Sequence, residues 1–299
     1  MSDPGPPPAS RQTPADTARP HPLASSRTEI PNVMPLPSMS SDREARFALA
    51  RQLIRDAGAI ALDHFRRYRT LDVATKTGPQ DTVSAADREV EETIRDAICS
   101  RFPDDGLVGE EYGHQSGASR WTWIVDPIDG TGSFLHGLRS WSVVIAVLEA
   151  GRPVIGLVLE PCTDRLYWAV EGGGAFCDDH PIAVDAAGCV GNGLTVISAG
   201  RAAQARQVGG IIERLLAAGG VYMRSGSAAL SLAHVAAGHY VGFFEPHLSP
   251  WDCVAGLLIV KEAGGVADDF RLGADWTERR PVFAAAPGAE RDLRDIIAV

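Results

Sequence analysis

What this sequence lacks narrows it first. Its 299 residues contain no run of about 18 apolar residues, the length a helix needs to cross a bilayer core, so no membrane association is expected. Basic residues are outnumbered, 28 Lys and Arg against 38 Asp and Glu, for a formal charge of -10. Nucleic-acid surfaces need clustered cations to meet phosphate backbones, and that deficit argues against one. It leaves room for a small phosphorylated molecule, provided cations stand between the acids and the phosphate. Cysteine is scarce and scattered: Cys99, Cys162, Cys177, Cys189 and Cys253 form no C-x-x-C pair. That usage suits reduced, mostly buried thiols in a cytoplasmic protein, and no site context surrounds any of them.

The first 41 residues lack apolar periodicity. Ten of the chain's twenty prolines lie there, spaced by Ser, Thr and Ala. Such a segment cannot bury enough surface to offset its ordering entropy, so residues 1–41 are expected to form a disordered Pro-rich tail. It has no continuous apolar core of the secretory kind. The whole chain is 45% hydrophobic and 22% charged, ordinary for a globular protein. One folded domain is expected over 42–299.

Patterning begins at Ser41. Phe47, Leu53, Ile54, Ala57, Ala61 and Phe65 fall on one helical stripe, with Ser41 or Asp42 as N-cap. "AADREVEETIRDAICSRF" gives a second helix. Five short β-like runs follow, from "WTWIVD" to "GAFCD", and the Gly and Pro between them predict an antiparallel meander. After Leu194 strand-like and helical stretches alternate, the rhythm of a layered α/β half. The whole reads as helices packed on two sheets.

Four groups of acids do not look like turn chemistry alone. In "WIVDPIDGTGSF" an apolar strand runs into Asp126 and Asp129, then at once into Gly130 and Thr131. "GEEYG" supplies Glu110 and Glu111, "SPWDC" supplies Asp252 at the start of an apolar helix, and "DTVSAAD" supplies Asp81 and Asp87. Singly, each has an ordinary reading as a turn residue or a first-turn acid. Jointly that reading weakens, because Asp126 and Asp252 are tied to core elements. Carboxylates gathered in a partly buried place repel and desolvate one another. A hard divalent cation removes the conflict, since Mg²⁺ takes carboxylate, carbonyl and water oxygens. Gly130 lets a backbone approach a ligand, and N–H groups at a helix start suit phosphate. Metals beside a phosphate nest describe a metal-assisted phosphoester hydrolase.

Four segments in order, "KTGPQDTVSAAD", "GEE", "WIVDPIDGTGSF" and "WDCVAGLLIVKEAGG", resemble the signature segments of the inositol monophosphatase family of Mg²⁺-dependent phosphatases. The resemblance runs roughly from Ser41 to the C-terminus. It implies an α/β (α+β) fold, a layered α-β-α-β-α sandwich like that of fructose-1,6-bisphosphatases, and a homodimer. It also implies two to three Mg²⁺ ions. Glu110, Asp126 and the Ile128 carbonyl would hold one, Asp126, Asp129 and Asp252 a second, and a looser third would sit near Glu110. Thr131 and Asp87 match the pair that orients and deprotonates the attacking water, with Glu110 counted beside them in catalysis. Gly130 and Thr131 match backbone donors to phosphate, and Lys76 a basic position near the metals.

Gly226, Ser227 and Ala228 match residues lining a sugar or inositol ring. Glu245 matches the carboxylate that accepts from ring hydroxyls. The implied mechanism is in-line attack of a metal-activated water without a phosphoenzyme, so no Cys or His nucleophile is needed. His136 reads as a supporting or surface residue. The expected substrate is a small phosphorylated polyol, sugar or amino alcohol: inositol monophosphate first, histidinol phosphate as the alternative. A regulatory, protein-binding member of the family is a further alternative. A nucleotide bisphosphate ranks lower, because residues 226–245 hold no obvious basic pair. One departure from the family pattern, "GTGSF" where "GTTNF" is common, bears on the substrate and not on the metal chemistry.

Overall fold

The computed structural model describes residues 39–71, 73–75, 82–199, 204–270 and 276–298. Beyond Met39, Ser40 and Ser41, the expectation of a tail over 1–41 lies outside the described residues, as do Lys76 and Asp81. The first helix, α1 (Ser41–Arg66), is capped one residue earlier than expected. Ser40 takes the extended N-cap geometry and its Oγ accepts from the Arg43 N–H at 3.3 Å, which leaves Asp42 and Glu44 in the first turn, where the helix dipole favours them. Phe47, Ala50, Leu53, Ile54, Ala57 and Ala61 are buried. Phe65 is only half-buried, against the rings of Phe134 and Trp141.

A short antiparallel pair, β1 (Val73–Thr75) and β2 (Thr82–Ser84), precedes α2 (Ala85–Arg101). Next come β3 (Gly106–Gly109), β4 (Gly113–Gln115), β5 (Trp121–Asp129) and a short helix, α3 (Thr131–Leu135). The meander is β6 (Ser142–Glu149), β7 (Arg152–Glu160), β8 (Arg165–Val170), β9 (Ala175–Cys177) and β10 (His180–Ile182). The final third alternates: β11 (Leu194–Ile197), α4 (Ala205–Ala217), β12 (Val221–Met223), α5 (Ala228–Ala236), β13 (Gly242–Leu248) and α6 (Pro250–Glu262). It closes with β14 (Val266–Ala267), β15 (Arg280–Ala285) and α7 (Glu290–Ile297).

Among the described residues these strands form an eight-stranded sheet ordered β10-β9-β8-β7-β6-β5-β3-β4 and a five-stranded one ordered β12-β11-β13-β15-β14. Alternate side chains of a strand face opposite ways, and both sheets bury both faces. Trp123, Val125, Val143 and Ile145 pack with the stripes of α1 and α2, whereas Ile124, Val144 and Ala146 pack with α5 and α6. In the smaller sheet Phe243, Val282 and Ala284 face α5 and α6, and Phe244, Phe283 and Ala285 face α4 and α7. The layers therefore run α-β-α-β-α, as the resemblance implied. All five cysteines are free, but only Cys253 is buried, so the thiols are less enclosed than expected. No described helix is long and apolar enough to cross a membrane.

One buried ion pair ties α1 to the large sheet. Two Arg46 nitrogens donate to Asp105, each at 2.8 Å, and Asp105 also accepts from Ser119 Oγ at 2.7 Å and Trp123 Nε1 at 2.9 Å. Removing one partner strands a buried charge, so Asp105→Ala is expected to cost about 3–5 kcal/mol. The readout is the urea midpoint at unchanged slope. A loss below about 1 kcal/mol, the value of a surface pair, would show that this network holds nothing together.

Candidate active site

Pro127 decides how β5 ends. It has no N–H to give to a ladder, and the pairing with β6 slips there: Asp126 stands opposite Val144, and Asp129 opposite Ser142. Three steps on β5 span two on β6, which is a bulge. Regular alternation would send residues three apart to opposite faces. The extra residue returns both acids to the Val144 face, which packs toward α5 and α6. The chain then turns left-handed at Gly130, with φ 93° and ψ 37°. A Cβ there would lie 3.0 Å from the Ser140 carbonyl oxygen and 3.1 Å from that of Gly226, so both the turn and the close approach call for glycine.

The other acids arrive from separate elements. Glu110 comes from the turn between β3 and β4, Asp252 from the first turn of α6 and Asp87 from the first turn of α2. Asp87 and Asp252 also cap their helices. The Ser84 N–H donates to Asp87 Oδ2 at 2.8 Å, and the Ser249 N–H to Asp252 Oδ2 at 2.9 Å. Both places read S-x-x-D, a capping box with aspartate in the Glu position. The ordinary first-turn role and the site role thus belong to the same side chains.

Oxygens of Glu110, Asp126 and Asp252 lie within 4.8 Å of one another. Asp129 stands beside this trio but is not part of it. Its carboxylate accepts from the Ser227 hydroxyl, from Ser142 Oγ at 3.3 Å, and from the Ala228 and Ala229 N–H groups at 3.3 and 2.8 Å. Thr131 Oγ1 is 3.5 Å from Asp87 Oδ1 and donates to the Ile128 carbonyl oxygen at 3.1 Å.

Burial, followed by the charges of Glu110, Asp129 and Asp252, pushes the Asp126 carboxyl well above the usual range. Asp252 is raised for the same reasons, burial first, then Asp129 and Glu110. Burial lifts Asp129 to about 6 against the pull of its Ser227, Ala229 and Ala228 donors. Asp126 Oδ1 accepts from the Ile128 N–H at 3.0 Å, but Oδ2 is buried with no hydrogen-bond partner among the described residues. Orphaned buried oxygens are costly. An all-oxygen set with mutual repulsion and an orphan atom fits a hard divalent cation.

The site acids line a cavity of about 500 Å³ that also takes in Gly130, Thr131, Gly226, Ser227, Ala228 and Glu245. Asp87 is buried and reaches the cavity through Thr131. Ser227 spends its hydroxyl on Asp129 and on the Leu230 N–H, the latter at 3.1 Å. Burial lifts Glu245 to about 7, opposed by Ser198, reinforced by Asp129 and pulled back by Arg224 and Arg279. Those two arginines line the same cavity, and the sequence reading missed them as a pair. Arg224 falls just before the stretch 226–245. Arg279 precedes β15, whose antiparallel pairing with β13 brings it to the Glu245 wall, and nothing local signals that approach. His136 is exposed, its Nδ1 2.8 Å from the Gly132 carbonyl oxygen.

The inositol monophosphatase family model matches residues 42–297. An inositol-1-monophosphatase of Rhizobium meliloti is 37% identical over 265 residues, covering 85% of this chain and 97% of that protein. A histidinol-phosphatase of Chlorobaculum parvum is 36% identical, covering 82% and 97%. Among solved structures, the extragenic suppressor protein suhB from Bartonella henselae superposes with a TM-score of 0.79 at 32% identity, over 85% of this chain and 98% of that one. Since the match runs from the first turn of α1 to the end of α7, it takes in every layer of the fold, and the chain belongs to the inositol monophosphatase family.

Proposed function

We propose that the chain is a Mg²⁺-dependent phosphomonoesterase acting on a small phosphorylated polyol or sugar, with inositol monophosphate the first candidate, as a cytoplasmic homodimer. The observation that carries this reading is the Glu110, Asp126 and Asp252 trio, with its orphan Asp126 Oδ2, beside the Thr131–Asp87 pair. The trio, with Asp129 and the Ile128 carbonyl, would hold two to three Mg²⁺ ions. Bound there, the ions neutralise phosphoryl oxygens, stabilise the leaving alkoxide and lower the pKa of water.

The chain's own groups do the rest. Asp87, fixed by Ser84, keeps Oδ1 near the Thr131 hydroxyl, a short relay for the proton of the attacking water. The N–H groups of Gly130 and Thr131 bind the phosphate. Gly226 and Ala228 line the organic part of the substrate. Glu245, near neutrality in its pKa, pairs with a ring hydroxyl as acceptor or, when protonated, as donor. Gly132 also lines the cavity, and a Cβ on it would meet no atom within 4 Å.

Histidinol phosphate would require this wall to meet an ammonium group, and Arg224 and Arg279 beside Glu245 weigh against that. A purely regulatory role gives no reason to gather this set of acids.

The test is phosphate release with Mg²⁺ from inositol 1-phosphate, histidinol phosphate, fructose 1,6-bisphosphate and adenosine 3′,5′-bisphosphate. Inositol 1-phosphate is expected to lead. A lead for histidinol phosphate would reassign the substrate, and silence on all four with metal bound would sink the reading. Glu245→Gln is expected to shift the preference between hydroxyl-rich and plain esters by roughly tenfold or more, because a reader of hydroxyls leaves polar groups unpaired when its partner changes. An unchanged ranking would remove Glu245 from the substrate wall.

A further inference from the structure

Asp87, Glu91 and Arg95 lie four residues apart on α2 and so share one face of the helix. The first reaches Thr131; the other two grip the turn that carries Glu110. Glu91 is fully buried. Its carboxylate accepts from the Glu111 N–H at 2.7 Å, from the Tyr112 N–H at 3.2 Å and from Arg95 Nε at 2.7 Å. The Arg95 guanidinium in turn donates to the Gly113 carbonyl and lies 5.7 Å from the Tyr112 ring centre. On the other side of Glu110, a Cβ on Gly109 would stand 1.9 Å from Glu91 Oε1. Glu110 is therefore bracketed: the residue before it is pressed against Glu91, and the three after it are bonded to Glu91 or Arg95.

A carboxylate buried this deeply persists only with strong donors around it, and two of its three are backbone amides of one tight turn. That fixes the direction in which Glu110 leaves the turn. We propose that Glu91, braced by Arg95, is a positioning residue that sets the metal affinity of the site by aiming Glu110 at Asp126 and Asp252. The proposal rests on the reading of those three acids as metal ligands. Partners that orient ligands typically contribute 10- to 100-fold in metal affinity.

The experiment is Mn²⁺ binding to the metal-free full-length protein, by calorimetry and by electron paramagnetic resonance, alongside the Mg²⁺ dependence of turnover. Glu91→Gln is expected to raise the Mn²⁺ Kd roughly 10- to 100-fold. Turnover at saturating metal should recover to within about threefold of wild type, since Glu91 touches neither substrate nor reacting atoms. Amide exchange at Glu111 and Tyr112 should quicken in the same variant without metal. Arg95→Gln, at a side chain 12% exposed, is a milder second variant and should weaken Mn²⁺ several-fold. A folded Glu91→Gln or Arg95→Gln protein with wild-type Mn²⁺ affinity overturns the positioning role while leaving the metal site intact. Absence of Mn²⁺ binding in the wild-type chain overturns both. Asp105→Ala separates aiming from general loosening: it is expected to lower stability with Mn²⁺ Kd unchanged, and an equal loss of affinity there would reduce Glu91 to a structural tie.

Discussion

Asp126→Asn is expected to abolish Mg²⁺-dependent phosphate release, by about a thousandfold or more, and at the same time to make the metal-free protein more stable. The two effects have one cause. Asp126 is buried, its carboxyl is pushed up by burial and by Glu110, Asp129 and Asp252, and its Oδ2 has no donor among the described residues. An amide of the same shape removes the buried charge yet keeps an Oδ1 that can accept from the Ile128 N–H. It also removes an anionic ligand from the trio. A thousandfold loss corresponds to about 4 kcal/mol of transition-state stabilisation, within what a charge-neutralising metal supplies. In excess EDTA at pH 8 the thermal midpoint should rise by a few degrees, at about 2–4 °C per kcal/mol for a domain of this size. An active variant would break the metal assignment. A lower midpoint would show that the carboxylate is stabilised by something other than a cation.

The second large effect is on stability against pH. In the metal-free chain Asp129 rises from an ordinary 3.8 to about 6 and Glu245 from 4.5 to about 7, burial leading in both. An acid whose folded pKa is raised binds its proton more tightly in the fold than in the unfolded chain. Its contribution is therefore complete below the unfolded value and lost as pH climbs through the folded one. The window runs from about pH 4 to about pH 7, and Asp126 and Asp252 shift in the same sense. At about 1.4 kcal/mol per pKa unit, Asp129 and Glu245 each account for a loss on the order of 3 kcal/mol. Denaturant midpoints in EDTA should fall between pH 5 and pH 8, and saturating Mg²⁺ should recover much of the fall at pH 8 by binding the folded state. A flat profile without metal would mean that these carboxylates are not desolvated as the packing indicates.

Much of this site was legible in the residues because its parts are local. Apolar runs at strand length gave the meander, since a strand buried on both faces has no polar side to show. Asp252 at the head of an apolar run marks a helix start on first-turn chemistry alone. Asp126 and Asp129 at the end of an apolar run mark a strand that stops in carboxylates, and Gly130 a place where a backbone can come close to a ligand. Each feature depends on a few neighbours along the chain, so spacing suffices to read it.

What spacing could not decide is where separate elements meet. Glu110, Asp126 and Asp252 come from a β3–β4 turn, a strand end and a helix start, and only the sheet order and the packing of α6 bring their oxygens within 4.8 Å. The same packing sets Asp129 beside the trio with its carboxylate on the first amides of α5. It also sets Arg224 and Arg279 on one wall, and Glu91 against a turn some twenty residues further along. The sequence by itself determined which side chains could carry the chemistry and which way each leaves its own element. The tertiary structure alone decided which of them touch, because distances between elements follow from the packing of whole layers and not from periodicity along one chain.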